Sequence, residues 1–297
     1  MGITRKMVEK LMGVNFRQMN GVLNDLAYDI SIIKENAINA SNLSVKNYEL
    51  NKSQRDGLDA LRGDLYNVRK LPEYEAAFID KKPLISVCIA TYNKSKELVE
   101  TALQSVFNQT YQNFEIIIIG DECTDDTEQR IKKLRDDRIT FINLPNRGPY
   151  PDDSSKRWMV AGSPGVDLAA VIAKGVWIAR LDDDDSWSTD HLEKLLKLAL
   201  KTKSEFVYGA LERRNVLTNK SHLIYEPKPA FGQISFQGVL YLRILNFFRY
   251  DQQSYLVEEP TDWNLIRKMV ASGIRYTSTK DVVGYINWIP NTNEKHR

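Results

Sequence analysis

The chain is poor in the residues that usually carry metal, redox or disulfide chemistry, with two cysteines and three histidines in 297 positions. Cys88 and Cys123 stand apart, with neither the paired spacing of a zinc site nor a disulfide framework. No run of about 18 apolar residues occurs, so no membrane-spanning helix is expected, and the N-terminus lacks a signal-peptide apolar core. An excess of one charge is also missing: 41 basic residues face 39 acidic ones, a net charge of +2. That balance supplies no electrostatic argument for nucleic acid or an anionic bilayer as a partner. Phosphate-binding glycine loops are absent too, since neither G-x-G-x-x-G nor the P-loop pattern is found. The default expectation is a cytoplasmic protein with ample core, long enough for one large domain plus an extension.

What the chain does contain divides it in two. Met12, Phe16, Met19, Leu23, Leu26, Ile30, Ile33, Ala37 and Ala40 alternate in steps of four and three, an apolar seam of roughly four heptads. Leu58, Leu61, Leu65 and Val68 resume it after a polar stretch, and Leu71-Pro72 ends the region. Residues 1–72 are therefore expected to form a helical or coiled-coil extension, a candidate for homo-oligomerisation, with a second domain over 80–297.

From Leu84 the pattern alternates strands and helices. Leu84 to Ala90, Glu115 to Ile119, Ile139 to Leu144, Val176 to Leu181 and Glu205 to Tyr208 read as strands, with helical spacing between most of them. Repeated βαβ units imply a mostly parallel sheet flanked by helices, an α/β fold. The segment from Pro145 to Gly165, rich in Pro, Gly, Asp and Ser, reads as a long functional loop.

Chemistry concentrates where strands end. Val176 to Leu181 runs into four consecutive carboxylates, Asp182 to Asp185, whose mutual repulsion is best relieved by a cation. Oxygen donors suit Mg²⁺ or Mn²⁺, ions that commonly bridge carboxylates to substrate phosphates. Thr91-Tyr92-Asn93 and Asp121 follow two other strands, and in a parallel sheet all three junctions would share the rim where nucleotides bind. An Asp there can accept a hydrogen bond from a base N–H. Arg147, Lys156 and Arg157 on the long loop are candidate phosphate partners.

Taken in order, Pro83-Leu84-Ile85-Ser86-Val87-Cys88-Ile89-Ala90-Thr91-Tyr92-Asn93-Lys94, Ser105-Val106-Phe107-Asn108-Gln109-Thr110-Tyr111, Gly120-Asp121 with Cys123-Thr124-Asp125-Asp126-Thr127, and Leu181-Asp182-Asp183-Asp184-Asp185-Ser186-Trp187 resemble the family 2 glycosyltransferases of GT-A fold. The resemblance covers about residues 80 to 290. It implies a Rossmann-like domain that moves a sugar from a nucleoside-diphosphate sugar, UDP favoured, to a hydroxyl acceptor with inversion, in bacterial-type glycan or glycoconjugate synthesis. It also implies a divalent metal, Mn²⁺ or Mg²⁺. By the same resemblance Thr91, Tyr92, Asn93, Asp121, Arg157, Asp182 and Asp183 would contact the nucleotide sugar. Asp182 and Asp184 would hold the metal, with Asp185 a further candidate because the run allows two registers. Pro260-Thr261-Asp262-Trp263 matches the family's acid-before-Trp at a helix start, which makes Asp262 the expected base; Thr261 stands where an acid is common. Two departures bear on the donor. Gly120-Asp121-Glu122-Cys123 lacks the usual first acid, and Val166-Asp167-Leu168-Ala169 lacks a phosphate-side Arg that Arg147 or Arg157 would replace. A nucleotidyltransferase and a silent sugar-nucleotide-binding relative are the competing readings.

Overall fold

The computed structural model describes residues 31, 32, 34, 35 and 57–288. The heptad-seam residues from Met12 to Ala40 and the tail after residue 288 lie outside the described residues.

The compact unit that carries the sheet begins at Leu58, earlier than the change in sequence pattern near residue 80. The reason is packing. The helix over 57–68 (α1) is followed by the short helix Pro72–Ala76 (α2). Leu65 and Tyr74 are buried in the core, with Leu61 and Val68 packed against it. Below them Glu205 is fully buried and accepts from Arg69 Nε (2.6 Å), Arg69 Nη2 (2.8 Å), Tyr74 Oη (2.6 Å) and the Arg275 amide (2.8 Å). A buried carboxylate persists only when its lone pairs are satisfied. Arg69→Ala is expected to lower unfolding stability by about 1.5–3 kcal/mol, less than a wholly orphaned charge because Tyr74 and Arg275 remain. Denaturant midpoints at constant slope check this.

Nine strands among the described residues form one sheet in the order β3-β2-β1-β4-β8-β6-β9-β5, with β7 paired to β6. Their spans are β1 Ile85–Thr91, β2 Phe114–Gly120, β3 Ile139–Asn143, β4 Trp177–Arg180, β5 Ser186–Trp187, β6 Phe206–Asn215, β7 Ser221–Ile224, β8 Val239–Leu242 and β9 Tyr276–Trp288. The half built from β3, β2, β1 and β4 is wholly parallel, as the buried isoleucine and valine runs imply. In the other half β6 and β9 also pair parallel, whereas β8 lies antiparallel to both β4 and β6, so short antiparallel pairings join a mostly parallel sheet. Thr91 stands opposite Gly120 and Cys88 opposite Arg180, so the C-terminal ends of β1, β2 and β4 share one rim. Gly175 leads into β4. A Cβ there would lie 2.6 Å from the Ser86 amide nitrogen and 2.8 Å from the Leu84 carbonyl oxygen, so only glycine fits.

Helices cover the sheet: a helix over 95–107 with one π turn at Leu98–Ala102 (α3), Thr127–Leu134 (α4), Ser154–Val160 (α5), Ser163–Ile172 (α6), His191–Thr202 (α7) and Thr261–Ser272 (α8). The segment read from sequence as a long loop contains α5, started by Asp153, whose side chain accepts from the Lys156 amide (2.9 Å). No helix among the described residues is long and apolar enough to cross a membrane.

His191, at the start of α7, is fully buried and stacks on Trp187 at 4.0 Å. Its Nδ1–H donates to the Val283 carbonyl (2.8 Å). Burial pushes the imidazole down to about 3. The folded chain thus binds fewer protons than the unfolded one between pH 6.5 and 3, and this contribution, full above 6.5, is lost as pH falls. His191→Phe is expected to flatten the acid side of the stability–pH curve, read as thermal midpoints from pH 4 to 7.

Candidate functional site

The rim carries a cavity of about 550 Å³. The tight turn after β1 delivers Thr91, Tyr92 and Lys94 to it, β2 delivers Asp121, and β4 delivers Arg180 and Asp182 to Asp184. Asp262 enters from the first turn of α8, together with Trp263.

Asp121 is buried and accepts from the Gly148 amide (3.0 Å); the Arg147 guanidinium lies 3.6 Å from its other oxygen. The same guanidinium lies over the Tyr92 ring at 3.6 Å from its centroid. This makes a flat cationic and aromatic surface beside a carboxylate acceptor, a setting suited to a nucleobase and the start of its phosphate chain.

The acidic run splits by direction. Asp182 accepts from Arg180 Nη2 (3.2 Å) and Gln237 Nε2 (2.9 Å). The Lys94 ammonium bonds Asp184 Oδ2 at 2.6 Å and lies 3.4 Å from Asp183. Burial pushes the nearly enclosed Asp183 up to about 6, against the pull of Lys94. Asp185 does not line the cavity: it is buried, and its Oδ1 accepts from the Asn287 amide (2.7 Å). Burial, then the charges of Asp182 and Asp184, raise it to about 8.

Two other expected contacts stand outside the cavity. Asn93, in the left-handed region at φ 50°, spends its side-chain oxygen on the amides of Thr124 (2.8 Å) and Asp125 (3.3 Å), so it clamps two loops together. Arg157 folds back onto the carbonyls of Pro151 (3.1 Å) and Asp152 (2.6 Å), and Arg147 takes the place facing the cavity. Two charged lining residues, Lys94 and Arg180, were not picked out from sequence as site residues, and neither was Gln237, which bonds Asp182. Lys94 was legible as the residue after Tyr92-Asn93. Arg180 precedes Asp182 by two positions, the period that puts strand neighbours on one face. Gln237 comes from a distant 3₁₀ turn, Phe236–Gly238, and had no sequence signal.

Asp262 Oδ1 accepts from the Trp263 amide (2.7 Å), which leaves Oδ2 for the cavity. Burial raises its pKa, opposed by Arg180. Arg180 is itself half-buried, donates Nη1 to Tyr250 Oη (3.3 Å), and makes no hydrogen bond through Nε. Thr91 Oγ1 is likewise buried without a hydrogen bond, and Arg147 Nε makes none either, though it lies 3.6 Å from Asp121 Oδ2. Polar atoms with unused hydrogen-bonding capacity around one cavity suit a polar ligand.

Metal-binding capacity is limited. Among the described residues no group of three His, Cys, Asp or Glu side chains is arranged to hold an ion. Asp182 and Asp184 therefore do not make an all-protein cage. As two hard-oxygen donors they fit an ion of the Mg²⁺ or Mn²⁺ kind, which keeps waters and completes its shell with substrate phosphates.

A fold with three βα junctions on one rim and carboxylates beyond its central strand is that of the GT-A glycosyltransferases. The pattern described as Glycosyl transferase family 2 matches residues 86–151 and 162–268, and the chain belongs to this family. Among curated relatives it is 36% identical over 127 residues to the UDP-Glc:alpha-D-GlcNAc-diphosphoundecaprenol beta-1,3-glucosyltransferase WfaP of Escherichia coli, covering 42% of this chain and 45% of that one. The hyaluronan synthase of Pasteurella multocida is 33% identical over 150 residues, 50% of this chain and 14% of that one. The chain thus spans half or less of the length of these relatives. Among solved structures, S. aureus TarS in complex with UDP-GlcNAc superposes with TM-score 0.55 at 17% identity, over 72% of this chain and 61% of that one. The mannosyltransferase PcManGT of Pyrobaculum calidifontis, solved with GDP-Man and Mn²⁺, gives 0.52 at 16% identity over 80% and 69%.

Proposed function

We propose that the protein transfers a sugar, with inversion, from a UDP-sugar to a hydroxyl group of a bacterial glycan or glycoconjugate acceptor. The observation that carries this reading is the cavity in which Tyr92, Arg147 and Asp121 face the acidic run while Asp262 faces the same space from α8. Asp121 would accept from uracil N3–H, and Arg147 would stack on the base or meet the diphosphate. Asp182 and Asp184 would hold Mn²⁺ or Mg²⁺, which when bound offsets the charge of the leaving diphosphate. Lys94, freed from Asp184, would turn to the same phosphates.

The step follows from the residues. The acceptor O–H gives its proton to Asp262 Oδ2, and the acceptor oxygen forms a bond to the anomeric carbon from the face opposite the diphosphate. The anomeric C–O bond breaks and its electron pair leaves on the nucleoside diphosphate. One displacement inverts the configuration. A carboxylate whose pKa is raised by burial is a better proton acceptor than an exposed one, provided it stays ionised, and Arg180 serves that condition. No general acid is needed, because the diphosphate is already a good leaving group.

Two cues in the names of similar proteins favour UDP: the E. coli glucosyltransferase uses UDP-Glc by its name, and S. aureus TarS was solved with UDP-GlcNAc. The oligomer attributed to the N-terminal helices and the cytoplasmic setting remain proposals. A panel of UDP-, GDP- and dTDP-sugars with Mn²⁺, scored by thermal midpoint, tests the donor reading. At least one UDP-sugar is expected to raise the midpoint, since a ligand that binds only the folded state stabilises it. A panel in which no sugar nucleotide does so would overturn it.

A further inference from the structure

The cavity has two chemically different parts. Towards β1 and β2 it is lined by charged groups: Lys94, Asp121, Arg147 and the acidic run. Towards α5 and α8 it is lined by Trp158, Phe231, Ile234 and Trp263, with uncharged neighbours throughout. Arg180 and Asp262 are the ionisable groups where that second part meets the first.

The helices that carry Trp158 and Trp263 are joined through a common neighbour. The 3₁₀ turn Ser254–Val257 packs against both α5 and α8. Across the mouth the Phe231 ring lies 5.9 Å from Trp263, tilted by 57°. Trp158 is nonetheless 67% exposed and Phe231 62% exposed. Side chains of this size contribute most when buried, and holding two of them open to water at a cavity rim is unfavourable unless a ligand covers them.

The lining limits what that ligand is. A phosphate or uronate placed here would find one cation, Arg180, already engaged by Asp182 and Tyr250, and would face the Asp262 carboxylate. An alkyl chain would cover the rings but would also desolvate Asp262 without pairing it. A pyranose meets both demands, because its axial C–H bonds form an apolar face that sits on the negative face of an aromatic ring. Its hydroxyl rim then remains free to point at Asp262.

We infer that the aromatic part is the acceptor subsite and that it takes an uncharged pyranosyl ring, stacked on Trp158 and on the Phe231–Trp263 pair. This deepens the transfer reading and rests on it. The sugar accepting the bond is thus a neutral hexose or N-acetylhexosamine rather than an acidic one, whatever the acceptor carries further away.

Saturation-transfer NMR on the full chain tests this, with UDP and Mn²⁺ present. The probes are methyl β-D-glucoside, methyl N-acetyl-β-D-glucosaminide, methyl β-D-glucuronide and decyl phosphate. The two neutral glycosides are expected to receive saturation at their ring C–H protons and the other two probes to receive none. Trp158→Ala and Phe231→Ala are each expected to weaken glycoside binding by about tenfold, the scale of one lost aromatic contact with its buried area. UDP binding should be unchanged. Both side chains are exposed, so both variants should fold, and an unaltered thermal midpoint verifies it. Neutral glycosides that fail to bind while UDP does, or that bind both variants as well as the original chain, would overturn the inference. So would capture of decyl phosphate or the glucuronide in their place. Failure of UDP itself to bind would instead strike the transfer reading, and this one with it.

Discussion

Replacing Asp262 by Asn is expected to lower sugar transfer by roughly 10²–10⁴-fold, the usual contribution of a positioned base. Donor affinity should change little. The substitution keeps the oxygen that accepts from the Trp263 amide, so the start of α8 stays in place. What it removes is the capacity of the second oxygen to take a proton. Steady-state kinetics at saturating acceptor and calorimetry with UDP separate the two effects. Turnover near the original value would reduce Asp262 to a capping residue. Glu259 could not easily replace it, since its carboxylate is held by Asn264 (2.7 Å) and by both Arg267 contacts (2.8 Å each).

The second large effect concerns the acidic run. UDP is expected to bind at least about tenfold more weakly in EDTA than in Mn²⁺, and Asp184→Asn should bring the Mn²⁺ value down to the EDTA level. Two carboxylates without a phosphate loop give the diphosphate no other divalent partner. The alternative is concrete, because Lys94, Arg147 and Arg180 bring three positive groups to the same cavity. Equal affinity with and without metal would assign neutralisation of the diphosphate to them.

The two substitutions separate the roles, as Asp262→Asn acts on transfer alone while Asp184→Asn acts on metal and donor together. That contrast distinguishes a base from a ligand more sharply than either loss of activity would.

Much of this site was legible before the fold was known. The apolar runs of β1, β2 and β4 gave the strands to within a residue or two, because a strand buried on both faces needs unbroken hydrophobicity. Strand ends follow from strands, and so Thr91, Asp121 and Asp182 to Asp184 were placed on one rim by pattern alone. Asp262 came from the family resemblance, as the acid before a Trp at a helix start. The sequence was less informative where polar residues serve the fold. Asn93 and Arg157 carry groups that would suit a ligand, yet they are spent on backbone amides and carbonyls of neighbouring loops. Composition cannot show where a hydrogen bond is already used.

The sequence by itself determined the parallel half of the sheet, the order of the βα junctions and the chemistry at their ends, because hydrophobic periodicity and strand termination are local properties of the chain. Tertiary structure alone decided that β8 runs antiparallel between β4 and β6, that Asp185 turns to Asn287 (2.7 Å), and that Gln237 reaches Asp182 (2.9 Å). It also decided that Glu205 ties Arg69 and Tyr74 to the sheet, which makes residues from Leu58 onward part of the compact unit. Each of these contacts joins residues at least 31 positions apart, the separation of Tyr208 and Val239. Such pairings are set by which buried polar group must be satisfied, and that demand exists only once the core has closed around it.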